Sequence, residues 1–308
     1  MNSGVRIVEV GPRDGFQPIA SFIPTETKFR LVAALHAAGL TDIEIGSFAS
    51  AQAVPQLADT PALLDLAKGL SGLTPRVLVP TLGYGMKALA AGADFLAFVL
   101  SVSESHNRSN VRRSPSDSAE EYLRLAEAVP PGTRLRLNLA TAFDCPFEGR
   151  TEPGAVYALL ERLIGAFPQA EIGLCDTTGR ADPRHVASLF DTVRREFGEE
   201  LAWVFHGHDT YGLGAANVFA AYEHGVRIFD AAFAGLGGCP YAPGATGNVA
   251  TEDVVFLFEQ MGVATSCDLG RLAAVAEDGA ALPGAQPGGR VRTALAARCA
   301  LDPAAVGP

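Results

Sequence analysis

The regular return of short apolar, β-branched runs constrains this chain more than any other feature. They fall at 5–10 (VRIVEV), 41–45 (TDIEI), 76–80 (RVLVP), 95–100 (FLAFVL), 135–140 (LRLNLA), 170–174 (AEIGL), 202–206 (AWVFH) and 228–233 (IFDAAF). Helix-like segments lie between them, at about 25–38, 62–69, 85–91, 118–129, 153–167, 183–197, 213–224 and 252–261. The first of these starts after Pro24 with Thr25 as its cap and stops before Gly39. Ser118-x-x-Glu121 reads as a capping box. Eight strand signals alternating with eight helix signals predict parallel βαβ units. We therefore expect an α/β fold, a (β/α)8 TIM barrel in a single domain over residues 1–308, with a thin tail from about 283. An open doubly wound sheet is the runner-up. It is weakened because no GxGxxG follows the first run.

Composition narrows the class. Hydrophobic residues make up 48% and charged residues 19%, as in a core-rich globular protein. A net charge of −10 argues against a nucleic-acid or anionic-membrane partner. The five cysteines are odd in number, scattered and without a CxxC, which points to a reducing compartment. No apolar run reaches the ~18 residues that would span a bilayer. A strand-like run from residue 5 leaves no room for a targeting peptide, so a cytoplasmic location is expected.

In such a barrel the chemistry sits after the C-terminal ends of the strands. There the sequence places Arg13 and Asp14, then Glu44 and Ser47, Thr81, Ser103 and Glu104, Thr141 with Asp144 and Cys145, Asp176 with Thr177, and His206 with His208 and Asp209; Cys239 and Asn248 lie in a glycine-rich segment after the last strand. Polar groups thus gather at one end of the strands. Side chains at i and i+2 of a strand point the same way, so His206 and His208 can aim at one point. With Asp14, and with the Asn248 carbonyl as a fourth candidate, they form a mixed N/O set. It suits Mg2+ or Mn2+, and zinc as well. An acid after a strand also suits a helix cap, and an Asn among glycines suits a turn.

Lysine decides the next step. Lys28, Lys68 and Lys87 are the only three, all on helix segments, so a Schiff base inside the barrel is excluded. Carbon–carbon chemistry would then need a metal and an arginine against the enolate. Arg13, permanently charged and beside Asp14, is the natural electrophile. Cys239, in a glycine-dense loop, reads either as a lid acid or base or as a small buried hydrophobe.

The segments VEVGPRDGFQ, IPTETKFRLVAALHAAG, IEIGSF, HGHDTYG and GLGGCPYAPGATGNVATEDVV, in this order from about residue 5 to 262, resemble the 3-hydroxy-3-methylglutaryl-CoA (HMG-CoA) lyase family of metal-dependent TIM-barrel lyases. The resemblance implies Asp14, His206, His208 and Asn248 as ligands of a divalent metal, Mg2+ or Mn2+. It implies Arg13 as enolate stabiliser, Cys239 as lid-loop acid/base, and Glu44 and Asp176 as supporting groups. Arg13, Ser47 and Thr177 would touch the substrate, an acyl-CoA. The implied reaction is a retro-Claisen cleavage of HMG-CoA to acetyl-CoA and acetoacetate, a step of leucine degradation, in a homodimer. The chain departs from the pattern at Pro18 and Ile19, Gly207, Cys175 and His106. Those departures leave a related branched 3-hydroxyacyl-CoA open as substrate. Arg108, Arg112 and Arg113 read as CoA-phosphate contacts or as a solvated basic turn. A Claisen-condensing synthase of the isopropylmalate type shares Arg-Asp-Gly and His-x-His but carries a C-terminal extension for which this chain has no length. A metal-hydrolase barrel and a non-catalytic barrel are further alternatives.

Overall fold

The computed structural model describes residues 4–238 and 247–301. Eight strands of the described residues close into a parallel barrel in the order β1-β10-β9-β8-β5-β4-β3-β2. They are β1 (Arg6–Glu9), β2 (Asp42–Ser47), β3 (Thr74–Val79), β4 (Phe95–Ser101), β5 (Arg134–Ala140), β8 (Glu171–Asp176), β9 (Ala202–Gly207) and β10 (Ile228–Ala231). A two-residue hairpin, β6 (Asp144–Cys145) with β7 (Gly149–Arg150), interrupts the alternation after β5. The closed barrel expected from the sequence is the fold; the open sheet is not. Among the described residues, no helix is long and apolar enough to cross a membrane.

The helices are α1 (Thr25–Ala37), α2 (Thr60–Ala67), α3 (Leu82–Ala90), α4 (Glu104–Val111), α5 (Pro115–Ala128), α6 (Pro153–Leu163), α7 (Pro183–Phe197), α8 (Gly214–Glu223), α9 (Thr251–Gln260), α10 (Leu269–Ala280) and α11 (Val291–Leu301). Three local expectations need correction. The capping box of α5 is Ser114 with Asp117, four residues earlier than Ser118 and Glu121. Pro115 at the first helical position, with its fixed φ, suits that start. Ser118 is instead buried and accepts from Asn107 Nδ2 at 2.8 Å. Thr25 caps nothing; its hydroxyl donates to Asp59 at 2.8 Å. Helix α3 begins three residues early because the Thr81 side chain caps it through the Tyr84 amide. Inside the stretch read as a thin tail, α11 is anchored by Asp253, which accepts from the Arg290 and Val291 amides.

Strand alternation sorts the core into two regions. Outward residues such as Leu135, Leu137, Leu139, Ile172, Leu174 and Phe205 belong to the large apolar layer under the helices. A separate small apolar cluster contains Val8, Val10, Val204, Ile228 and Ala232. The lower part of the barrel interior is charged. Arg76 on β3 reaches Glu171 on β8 at 2.6 Å and also bonds Asp42. Arg136 on β5 bonds Glu171 at 2.7 Å and Asp230 on β10 at 2.6 Å. Arg6 pairs with Glu171 from below. Arg76 to Glu171, Arg136 to Asp230 and Arg6 to Glu171 join strands that are not neighbours, so the side chains meet near the barrel axis. The expectation that polar groups gather at one end of the strands is therefore incomplete. A buried ion network fills the other end.

That network makes stability acid-sensitive. Burial raises the Glu171 carboxyl, but Arg136, Arg76 and Arg6 outweigh it and hold the group near 2, against 4.5 ordinarily. A depressed carboxyl contributes stability above its unfolded value and loses it as pH falls. The Glu171 contribution should be complete above about pH 4.5 and vanish on approach to pH 2. Glu171→Ala removes the carboxylate shared by two buried guanidiniums, leaving each with one partner, and should cost about 3–5 kcal/mol in urea unfolding at pH 7. A loss below 1 kcal/mol would mean that water reaches the barrel floor.

Candidate metal centre and active site

The site is assembled from three chain segments at the C-terminal mouth. β1 runs into a single π-type turn, Gly11–Gly15, which carries Arg13 and Asp14. The turn is tied down by Glu9, whose carboxylate accepts from the Gly11 amide at 2.7 Å and the Phe233 amide at 3.0 Å. Glycine is required at position 11 because a Cβ there would enter the Phe233 ring. At the end of β9, His206 and His208 lie side by side with ring centroids 5.2 Å apart and planes tilted by 55°. Asn248 bridges to His208 from the segment after β10.

Asp14, His206 and His208 bring three ligand atoms within 4.8 Å of one another. Asn248 Nδ2 donates to Asp14 at 2.7 Å and to the Leu236 carbonyl at 3.0 Å. That leaves Asn248 Oδ1 buried without a hydrogen-bond partner, and His208 Nδ1 likewise. Buried polar atoms are usually satisfied, so an unpartnered amide oxygen beside a His-His-Asp cluster fits a cation ligand. Two imidazoles, a carboxylate and an amide oxygen fit a divalent ion with room for substrate oxygens. Protonation agrees. Burial works against charge on Asp14, but Arg13 and the two imidazoles outweigh it and hold the carboxyl near 2. Burial pushes His208 down to about 4, which leaves its ring neutral and ready to ligate. Burial also opposes charge on His206, but the Asp230 carboxylate at its Nδ1 raises it.

Arg13 is fixed from both sides. It bonds Glu44 on β2, which is almost fully buried, and Asp14 in its own turn. A cavity of about 160 Å³ opens here, lined by Arg13, Asp14, His206, His208, Asn138 and Thr177 among others. It adjoins a larger one of about 560 Å³, walled by Ser47, Tyr84, Arg112 and Arg113. The two share Gln17, Leu78, Val99 and Asn110.

The residues expected from the sequence fall as follows. Arg13, Asp14, Glu44, His206, His208 and Asn248 come together. Thr177 lines the small cavity and accepts from the Thr141 amide at 2.8 Å. Ser47 lines the large one, and its hydroxyl donates to the Leu78 carbonyl. Asp176 is buried; one oxygen accepts from the Ala181 amide, the other has no hydrogen-bond partner, and burial raises the carboxyl to about 7. Arg108 is engaged by Glu104 on the surface of α4, whereas Arg112 and Arg113 face the large cavity. Cys239 lies outside the described residues. Sequence reasoning missed Asn138, Asn110 and Gln17 in the wall and Asp230 behind His206. The strict alternation of RLRLNLA carried a signal for Asn138; Asp230 looked like one polar residue in an apolar run.

A closed (β/α)8 barrel with a His-His-Asp cluster at its mouth and an arginine locked beside it has the form of a barrel enzyme whose site could hold a cation. The HMGL-like family profile matches residues 4–278. The chain belongs to the HMGL-like family of carbon–carbon lyases. It is 38% identical to the mitochondrial hydroxymethylglutaryl-CoA lyase of Arabidopsis thaliana over 97% of this chain, which spans 64% of that protein. It is 39% identical to the (R)-citramalyl-CoA lyase of Chloroflexus aurantiacus, over 89% of each. An HMG-CoA lyase from Acinetobacter baumannii, solved with coenzyme A and 3-methylmalate, superposes with a TM-score of 0.87 at 37% identity over 94% of each chain.

The orphaned Asn248 oxygen supplies a test. Gly237, at φ +119, leaves no room for a Cβ beside the Asn248 amide. Gly237→Ala should displace that amide. Saturating Mn2+ should raise the melting temperature of the wild type and raise that of the variant much less. Equal shifts would exclude Asn248 from the cation site.

Proposed function

We propose that the enzyme cleaves 3-hydroxy-3-methylglutaryl-CoA to acetyl-CoA and acetoacetate by a metal-dependent retro-Claisen reaction. The observation that carries this reading is the juxtaposition of a fixed guanidinium, Arg13, with a cation-competent cluster that has an unpartnered amide oxygen. Relatives named for this substrate agree with it. Asp14, His206, His208 and Asn248 would hold Mg2+ or Mn2+, which supplies Lewis acidity to the substrate's hydroxyl and carbonyl oxygens.

The chain's own groups do the rest. A base takes the tertiary hydroxyl's proton; Asp176, which does not line the small cavity, keeps only the supporting part that the sequence resemblance gives it. As the bond between the second and third acyl carbons breaks, charge moves onto the thioester oxygen. Arg13, held by Glu44, meets it without reorganising. Cys239 is assigned the proton donor to the enolate carbon on the sequence resemblance. The large cavity has room for the pantetheine arm beside Ser47, and Arg112 and Arg113 suit the CoA phosphates. Cytoplasmic location and a homodimer belong to the same reading.

A second reading is a citramalyl-CoA-like substrate. The 39% identical relative favours it, as do the polar side chains of Asn138, Asn110 and His106 in the small cavity. Acetyl-CoA release from each thioester separates the two. With HMG-CoA, turnover should require Mg2+ or Mn2+ and stop with EDTA. Arg13→Gln should lower kcat by about 10²–10³-fold, and Cys239→Ser should also lower it. Turnover of citramalyl-CoA alone would move the assignment to the second reading. Turnover in EDTA by metal-free protein would overturn the metal mechanism.

A further inference from the structure

The charged column in the barrel interior has no part in the mechanism above, yet its upper end touches a proposed metal ligand. Asp230 Oδ2 lies 3.2 Å from His206 Nδ1. Its other oxygen accepts from Arg136 Nη1 at 2.6 Å. The Asp230 carboxylate is only 3% exposed, so water cannot readily replace either partner. Bonded in two directions, it cannot swing. Arg136 is fixed in turn by Glu171 at 2.7 Å, and Glu171 by Arg76 at 2.6 Å. The register reinforces this: Asp230 and His206 are paired partners on the neighbouring strands β10 and β9.

Hydrogen bonding shows what His206 contributes. Arg6, Arg76 and Arg136 face Asp42, Glu171 and Asp230, three cations against three anions. A carboxylate can only accept, so His206 meets Asp230 with an Nδ1–H. That tautomer leaves the Nε2 lone pair for the cluster with Asp14 and His208. His208 differs, because its Nδ1 has no hydrogen-bond partner. One imidazole is anchored from behind and the other is not.

We propose that Asp230, braced by Arg136, is the positioning residue that fixes the His206 ring and its tautomer for the divalent cation. This rests on the metal reading above. It places the control of metal affinity in the barrel floor, away from the substrate. Carboxylates behind ligating histidines typically change metal affinity by about 10–100-fold when removed.

The test uses the full-length enzyme and Mn2+ alone. Mn2+ binding is titrated by electron paramagnetic resonance for wild type and for Asp230→Asn, which keeps the shape but loses the charge that holds Arg136. The variant should bind Mn2+ about 10–100-fold more weakly, with an unchanged far-ultraviolet dichroism spectrum. Once saturated with metal, its KM for the thioester should stay within about threefold of wild type, because Asp230 lies behind His206 and does not line the cavity. Equal Mn2+ affinity in a folded variant would overturn the proposal and leave Asp230 as a counterion of Arg136. Absence of Mn2+ binding by the wild type would overturn the metal reading itself. If Asp230→Asn fails to fold, the wild type still decides. Two-bond 1H–15N correlation spectra of the Mg2+ enzyme should show His206 protonated at Nδ1; a proton on Nε2 would reject the assignment.

Discussion

A guanidinium inside a closed barrel must be matched in charge and in direction, and among the described residues Arg76 and Arg136 are fully buried. An unmatched ion there costs several kcal/mol after relaxation. That is a large share of the 5–15 kcal/mol by which a whole domain is stable. Arg76 and Arg136 are matched only because Asp42 on β2, Glu171 on β8 and Asp230 on β10 arrive at compatible heights. A one-residue slip in any of these strands would turn its acid outward, into the apolar layer under the helices. Packing outside the barrel supplies most of the apolar burial. The ions inside select the register. The same selection fixes the height at which His206 leaves β9.

The mouth is built on a second buried tie. Glu9 reaches three elements at once: the Gly11 amide in the first turn, the Phe233 amide after β10, and the Thr251 hydroxyl at the start of α9. Burial pushes this carboxyl up to about 7, while the hydrogen bonds pull it down. The donors converge on both oxygens, as suits a carboxylate. Glu252 works beside it, accepting from the Ala234 amide where the backbone turns left-handed at φ 57. Arg13 and Asp14 are thereby coupled to the segment that brings Asn248. The cluster is a meeting of two loops that share one anchor, and Phe16 packed edge-on to Phe233 at 5.9 Å closes the joint.

The barrel was legible in the sequence because its outward strand faces are apolar and its helices are punctuated. Of the site, the parts that showed were those carried by short-range spacing: Arg13 beside Asp14, and His206 two residues before His208. Local rules misplaced Ser118 and Thr25. A serine or threonine at a plausible position cannot announce that its hydroxyl will bond Asn107 or Asp59 instead. The ion column was hidden for a related reason. RLRLNLA reads equally well as a half-buried strand with a wet face. Only barrel closure makes that face the inside, and only the partner strands, far away in sequence, show that Arg136 is neutralised. Asp230 was invisible as a site residue because its meaning depends on the neighbouring strand.

Strain appears where the cavity begins. Thr141, at the end of β5, has φ 54, and a β-branched side chain is poorly tolerated there. Such a residue costs about 1–3 kcal/mol and persists only where its surroundings over-determine it. Here they do. Its amide donates to Thr177 Oγ1 at 2.8 Å, its carbonyl accepts from Thr151 Oγ1 at 2.7 Å, and its hydroxyl meets Ser103 Oγ at 3.3 Å. The left-handed turn aims the Thr141 N–H across to β8. The Thr177 oxygen accepts that hydrogen while its side chain lines the cavity. A relaxed backbone at position 141 would surrender that orientation. The strained turn thus holds the Thr177 side chain at the cavity wall, at a local cost that the hydroxyl cluster behind it offsets.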